Sequence, residues 1–463
     1  MSTPAFLSLA FASEDDANLI SRLVNRLTVV NTANDEAQAR YEGSWAARQF
    51  GISIPPNMQG LRTPTGWDGT VVDVLEERLD WLGWTSDDDD FGLSQLYAQN
   101  VLDVDGGMAH LDALIFGLSF VSVGSGFEDE PHPLITPHSP QSMTATWDRR
   151  TRRLSSALAT VTEDGQTVEV TLYTPDETAT FAANNGQWRA VDRDRHMLGR
   201  LPVVLVPNRV RGSRELGRSE ITKAIRYYSD AVARTLLGLE VNREFYNAPQ
   251  RIGLNVDDSM FEDEAGNPVS PWTSIMGRVW NIPANDEGEA APDVKQFSPA
   301  SPAPYIDQIQ GYALRVSAEA GIPATYFGVN TDNPASADAI RAAESRLVKR
   351  AERRQASFGR AWLEVGRLAL LVRDGAIPDA FDATVATKWR DAATPTRAAA
   401  ADEALKLTSG DNPILPPDST VTYDRIGLSP AEQRQVAADK RRAAGRNVLA
   451  RLTPPTPTNA NSQ

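Results

Sequence analysis

From Ala335 to Asp374 the side chains Ile340, Leu347, Ala351, Phe358, Val365, Leu368 and Val372 recur at helical spacing, and Gly375 is placed to end the run as its C′ residue. A helix of roughly 40 residues rises about 60 Å. That is longer than most single domains need, so the chain has to span or brace something large. A lone small module is excluded, and 463 residues divide on size into about two to four compact units. With 41% hydrophobic and 23% charged residues, wholesale disorder is excluded as well.

The patterns on either side predict an α+β chain that is mainly helical. Leu19, Ile20, Leu23, Leu27 and Val30 mark a helix from Ala12 to about Arg48, and a second helical block covers Asp68 to Leu82, so the N-terminal third reads as mainly helical. The Asp87 to Asp90 tetrad has no calcium-loop pattern and reads as a solvated turn. Between Ser142 and Asn208 the pattern changes to β. Asp164-Gly165 and Asn185-Gly186 separate alternating apolar runs, the strongest short-range hairpin signal, and predict a meander of about four to six strands that takes in the run Leu201 to Asn208.

A helix over 219–248 follows, with Ser219 as N-cap and Ile221, Ile225, Tyr228, Val232, Leu236 and Leu239 on one stripe. Residues 250–304 read as an excursion between helices, with strands at Arg251 to Val256 and Ser274 to Ile282. A helix from Tyr305 to Ala320 stops at Gly321-Ile322-Pro323, and a polar segment, Gly328 to Pro334, leads into the longest helix. Thr394-Pro395 and Ser429-Pro430-Ala431-Glu432 open two more helices, the latter with a capping box and Pro at N1. The tail from Thr453 is too polar and Pro-rich to pack and is predicted to be disordered.

Function classes are bounded by what is missing. There is no cysteine, which removes disulfide scaffolds, thiolate metal sites, iron–sulfur clusters and Cys nucleophiles. His110, His132, His138 and His196 lack metal-ligand spacing, and the Pro-bounded stretch His132 to His138 reads as a loop. No P-loop, dinucleotide fingerprint, HExxH, GxSxG or deaminase signature is present, so neither a catalytic site nor a cofactor is predicted. Glu76-Glu77 and Glu128-Asp129-Glu130 read as solvent-facing carboxylates. No run reaches the roughly 20 apolar residues of a membrane span, and the N-terminus lacks the basic region of a secretory signal. A soluble protein made inside the cell is expected.

A net charge of −15 argues against a protein that coats DNA or anionic lipid. Basic residues gather at Arg149 to Arg153, at Arg209 to Arg218 and on the longest helix. There Arg341, Arg346, Lys349, Arg350, Arg353 and Arg354 are interleaved with Glu344 and Glu352. Ion pairs on the helix face or at a subunit contact are favoured over DNA contact. The acidic run Asp257, Asp258, Glu262, Asp263 and Glu264 admits two readings, a soluble loop tip or a docking surface for a complementary partner.

Several stretches carry a family likeness: Arg40-Tyr41-Glu42-Gly43, Trp67 with Val71-Val72-Asp73 and Arg78-Leu79, and Tyr173-Thr174-Pro175. The most specific runs from Leu198-Gly199-Arg200-Leu201-Pro202-Val203-Val204 through Pro207-Asn208 to Gly217-Arg218-Ser219-Glu220-Ile221. Asn333 to Ile340 with Glu344 and Leu347, then Trp389-Arg390-Asp391 with Thr394-Pro395, complete the order. In this order they resemble the siphophage-type portal (head-to-tail connector) family of tailed double-stranded DNA bacteriophages. The family's doubled Tyr before Glu-Gly is Arg40-Tyr41 here, and residues 250–304 and the C-terminal region follow no alignable pattern.

The resemblance implies a homo-oligomeric ring, typically dodecameric, at one capsid vertex, through which DNA is packaged and later ejected. It implies a wing made of a helical part (1–141), a β meander (142–218) and a long helix with a strand (337–393). Stem helices lie at 219–248 and 305–328, the clip at 249–304, a tunnel loop at 329–336 and a helical crown at 394–452. Channel-facing residues would be Asn330, Thr331, Asp332, Asn333 and Ser336, and the acidic clip run would face a docking partner. Implied partners are weakly held double-stranded DNA, the terminase large subunit, a head–tail connector, and the major capsid and scaffolding proteins. Implied location is the virion, after assembly in the host cytoplasm. The alternative is a phage scaffolding or adaptor ring without a DNA conduit; an enzyme of unrecognised type is disfavoured by the missing motifs.

Overall fold

The computed structural model describes residues 14–47, 58, 60–87, 89–184, 187–247, 251–255, 293–296, 298, 301–329, 337–410 and 412–452. The chain divides into two compact units, one of Met1–Gln38, Val71–Glu220 and Asn333–Gln463, the other of Ala39–Thr70 and Ile221–Asp332.

In the first unit the predicted meander is a five-stranded antiparallel sheet in sequence order: β4 (Met143–Asp148), β5 (Arg153–Glu163), β6 (Gln166–Tyr173), β7 (Thr178–Asn184) and β8 (Gln187–Asp194). Asp164 and Gly165 close the β5–β6 hairpin with φ of +48° and +76°, the pair of left-handed residues that a two-residue turn matching strand twist requires. Asn185-Gly186 lies outside the described residues, although Asn184 pairs with Gln187 across it. Helix α1 (Glu14–Tyr41) lays Ile20, Leu23 and Val24 on Leu158, Val170, Leu172, Phe181 and Trp188 of this sheet. Each such large side chain, fully buried, contributes about 1.5–3 kcal/mol.

The N-terminal third is mainly helical, as predicted, but it also carries three strands not anticipated from sequence. Helix α2 (Trp67–Glu76) ends before Leu82, and β1 (Trp81–Ser86) follows it. Helices α3 (Leu93–Gln99) and α4 (Leu102–Phe116) precede β2 (Leu118–Gly124) and β3 (Leu134–His138). The predicted loop at His132 to His138 is therefore largely a strand. β3 lies at the edge of a three-stranded sheet ordered β3-β2-β9, where the N–H that Pro137 lacks is not missed. β9 (Val203–Pro207), assigned by sequence to the meander, belongs to this second sheet and pairs with β2. Within the predicted acidic turn, Asp90 accepts from the backbone N–H of Gly92 and Ser94 at the start of α3.

The long helix is present as α7 (Ala337–Asp374), 38 residues ended by Gly375 at φ +73°. It packs on the β3-β2-β9 sheet and on a ribbon that pairs β1 with β12 (Val385–Trp389), Trp81 opposite Trp389. Two helix glycines permit this approach. A Cβ on Gly359 would stand 2.5 Å from Thr387 Oγ1, and one on Gly366 would stand 3.0 Å from Trp84 Nε1. Trp81 stacks on Trp362 at 3.9 Å, Trp84 Nε1 donates to the Trp362 carbonyl, and Trp362 Nε1 donates to His110 Nε2 at 2.8 Å. Burial, opposed by a backbone hydrogen bond at Leu79, pushes His110 down to about 3, so the imidazole stays neutral and can accept.

Beyond α8 (Phe381–Thr384) and β12, helix α9 (Arg397–Thr408) is capped by Thr396, not Thr394, whose φ of +43° is left-handed. Helix α10 (Thr420–Ile426), capped by Ser419, was not anticipated. Helix α11 (Pro430–Leu452) has the predicted capping box: Glu432 N donates to Ser429 Oγ, and Ser429 N donates to Glu432 Oε2. The tail from Thr453 lies outside the described residues.

The second unit is a helical hairpin. Helix α5 (Lys223–Asn247) starts later than predicted because Thr222 Oγ1, not Ser219, accepts the capping bond from Ile225 N. Helix α6 (Ala303–Ala320) ends at Gly321 with φ +66°. Thr222 meets Glu319, Tyr228 meets Tyr312, Thr235 meets Gln308, and a Gly238 Cβ would meet Tyr305 at 3.1 Å. These pairs run in opposite directions along the two helices, which are therefore antiparallel. Between them β10 (Arg251–Leu254) pairs with β11 (Asp293–Gln296), a strand not anticipated from sequence, while the expected strand at Ser274 to Ile282 lies outside the described residues. Residues 39–70, predicted to lie with the N-terminal wing, belong to this unit.

A strap, residues 208–220, closes the first unit. Asn208 N donates to the Gly117 carbonyl at 2.9 Å, Arg218 N to the Asn208 carbonyl at 2.7 Å, and Glu220 N to the Leu114 carbonyl at 2.9 Å. At this crossing a Cβ on Gly217 would overlap the Gly117 carbonyl oxygen, and Gly217 has φ +85°. Gly217→Ala is expected to destabilise the protein by more than about 2 kcal/mol, read as a lowered thermal unfolding midpoint. Gly212→Ala, where a Cβ meets nothing, should stay within about 0.5 kcal/mol.

Candidate functional site

The strongest concentration of charge inside the first unit sits where the strap meets α7. Glu220 is fully buried, and three arginines converge on it. Its Oε1 accepts from Asn208 Nδ2 at 3.1 Å and from Arg354 Nε at 3.2 Å, with a second bond from Arg354 Nη2. Its Oε2 accepts from Arg350 Nη2 at 2.5 Å and Arg209 Nη1 at 3.2 Å. Buried Asn208 bridges the group: its Oδ1 accepts from Arg354 Nε and its Nδ2 also donates to the Arg218 carbonyl. Burial by itself would raise the Glu220 carboxyl, but the Arg354, Arg350 and Arg209 guanidiniums outweigh it and hold the group below its ordinary range. Glu220 is therefore ionised at neutral pH and serves as a charged anchor.

The α7 helix spacing explains the arrangement. Arg350 and Arg354 are four residues apart and share one face, which the strap covers. Both of these candidates for subunit or DNA contact pair with Glu220 within the chain. Arg341, Arg346 and Arg353 are exposed, and Lys349 pairs with Glu352 at 2.6 Å. Glu344 reaches away from its helix to Arg78 at 3.2 Å, and Arg78 also donates to the Ala392 carbonyl. The tunnel-loop residues Asn330, Thr331, Asp332, Asn333 and Ser336 and the clip residues Asp257, Asp258, Glu262, Asp263 and Glu264 lie outside the described residues.

A second buried network ties residues 39–70 to α5 within the second unit. Arg40 forms a two-pronged pair with Asp230, at 3.0 and 3.2 Å, and lies 3.5 Å from Asp68 Oδ2. Ser229 Oγ donates to Asp68 Oδ1 at 2.8 Å, and Thr63 Oγ1 donates to the Ala233 carbonyl. Burial raises Asp68, against the lowering influence of Ser229 and Arg40. Arg40 is thus an internal ion-pair site. Sequence reasoning missed Glu220 and Asp230 as structural centres. The available signals were the i, i+4 arginines and the Asn208 to Glu220 stretch, which name the participants without pairing them.

Among the described residues no group of three or more His, Asp or Glu could hold a metal, and no helix is long and apolar enough to cross a membrane.

The family described as phage portal protein, SPP1 Gp6-like, matches residues 32–412. The portal protein of Mycobacterium phage D29 is 33% identical over 445 residues, covering 92% of this chain and 88% of the relative. That of Mycobacterium phage L5 is 32% identical over 442 residues, with the same coverages. Among solved structures, a chain from the virion of a native gene transfer agent particle has a TM-score of 0.41 at 16% identity, covering 85% of this chain and 99% of that one. This chain belongs to the SPP1 Gp6-like portal protein family. It is a portal protein, a structural and non-enzymatic component of the virion.

Glu220→Ala strands buried guanidiniums and should cost about 3–5 kcal/mol in chemical denaturation, against about 0.5 kcal/mol or less for exposed Arg353→Ala. Because folding lowers the Glu220 carboxyl, its stabilisation is fully present above the ordinary value of 4.5 and is lost as pH falls below it. Glu220→Gln should show a shallower loss of unfolding midpoint between about pH 5 and 3 than the parent protein.

Proposed function

We propose that this chain assembles into a closed ring, twelve-fold as the family resemblance implies, at one capsid vertex, and that the ring is the channel for double-stranded DNA packaging and ejection. The observation that carries the reading is the second unit's architecture: two antiparallel helices joined through a β ribbon, on a chain of this family. In this reading α5 and α6 are the stem, residues 249–304 the clip that docks the terminase large subunit and later a head–tail connector, and 329–336 the tunnel loop. The first unit supplies the wing, braced by α7, and residues 394–452 the crown. Capsid and scaffolding proteins surround it, with assembly in the host cytoplasm.

Physical chemistry supports a conduit. Rigid helices offer surfaces for a heterologous contact repeated by rotation. DNA must also be released, and every phosphate neutralised by Lys or Arg adds affinity. A chain of net charge −15 that commits Arg350, Arg354, Arg40 and Arg78 to internal carboxylates limits that grip.

Purified protein should give annular particles with an axial hole in negative stain and a light-scattering mass about twelve times 50.4 kDa. Rings without a hole would favour an adaptor. Replacing Asp332 and Asn333 together by Arg should leave ring formation intact and impair DNA packaging, because added positive charge holds phosphate. Unimpaired packaging would remove this loop from the channel wall.

A further inference from the structure

An open groove of about 1000 Å³ runs along β9, the edge strand of its three-stranded sheet. Its floor is apolar, with Leu154, Leu201, Val203, Leu205 and Leu368. Its walls carry Arg152, Arg153, Arg200, Arg211 and Arg360 against only Glu215 and Glu364. Both glutamates are already engaged, Glu364 by Arg200 and Arg367, Glu215 by Trp147 and Arg149. Arg152, Arg153, Arg211 and Arg360 are exposed and have no carboxylate partner among the described residues. In a chain of net charge −15, this groove has the opposite sign.

The complementary shape lies on the same unit, between β2 and β3. Phe127 is 77% exposed and is followed by Glu128, Asp129 and Glu130, all exposed. The tip is a built turn: Glu130 N donates to the Phe127 carbonyl at 3.0 Å, and Phe127 N donates to Glu130 Oε2 at 2.9 Å. Gly126 permits it, since a Cβ there would overlap the Pro131 carbonyl oxygen. A large, mostly exposed aromatic on a backbone turn already closed by hydrogen bonds loses little backbone entropy on docking, which is the character of an interface anchor.

We propose that the Phe127 tip of one copy docks in the arginine-walled β9 groove of the next, with Glu128 and Asp129 meeting the unpaired arginines. The inference rests on the ring reading. A heterologous ring contact needs two different, mutually complementary patches on every protomer, and this chain carries one of each. The exposure of Phe127 shows that its own groove does not hold it. The apolar floor selects an apolar anchor over a DNA backbone, whose phosphates would need only the arginines.

The absence of cysteine makes the test clean. In full-length protein carrying Glu128→Cys and Ser155→Cys together, a short bis-maleimide should give a ladder of covalent multimers. Mixed single variants should give dimers and no higher species. Adding Phe127→Ser to the double variant should lower the cross-linked yield on the order of tenfold. Rings of normal mass without a ladder would overturn the contact and leave the ring standing. A chain that stays monomeric would overturn both, and a ladder indifferent to Phe127→Ser would overturn the anchor.

Discussion

The first unit is organised around one buried carboxylate. Glu220 gathers Arg209 and Asn208 from the strap with Arg350 and Arg354 from the long helix, so one residue fastens the outgoing chain to the brace that underlies both the three-stranded sheet and the β1–β12 ribbon. An isolated ionised carboxylate would be costly at full burial. Here the cost is offset by three guanidiniums and an amide, and the residual buried charge makes the arrangement specific: any other register of strap against helix leaves the arginines or the carboxylate unpaired.

Backbone proximity completes that joint. Gly117 and Gly217 let the strap cross β2's start at hydrogen-bond distance, and Gly359 and Gly366 let strand and tryptophan approach the long helix. The stacked pair Trp81 and Trp362, with neutral His110 accepting from Trp362, fills the space beside it. The second unit repeats the principle with Arg40 between Asp230 and Asp68.

Much of the architecture could be read from local pattern. The long helix, the Asp164-Gly165 turn and the Ser429–Glu432 box follow from periodicity, left-handed turn residues and capping chemistry, each contained within a few residues of itself. The strands β1, β2 and β3 did not, because the partners β12 and β9 lie far along the chain and their apolar runs are short enough to pass as helix. β3 was hidden further by Pro133 and Pro137, which an edge position tolerates. At the candidate site the same division holds: the arginines of α7 were legible as a cluster, but not that Arg350 and Arg354 turn inward while Arg353 stays exposed.

By itself, then, the sequence determined much of what depends on neighbours in the chain: the long helix, the Ser429–Glu432 capping box and the Asp164-Gly165 hairpin turn. Its ordered motifs also carried the family. Only the tertiary structure decided which charges are buried and paired, which strands share a sheet, and that residues 39–70 belong with the helical hairpin. The reason is physical. Local conformation is set by short-range sterics and hydrogen bonds, whereas the environment of Glu220, Arg40 or Phe127 is set by segments that meet only when the whole chain has closed around them.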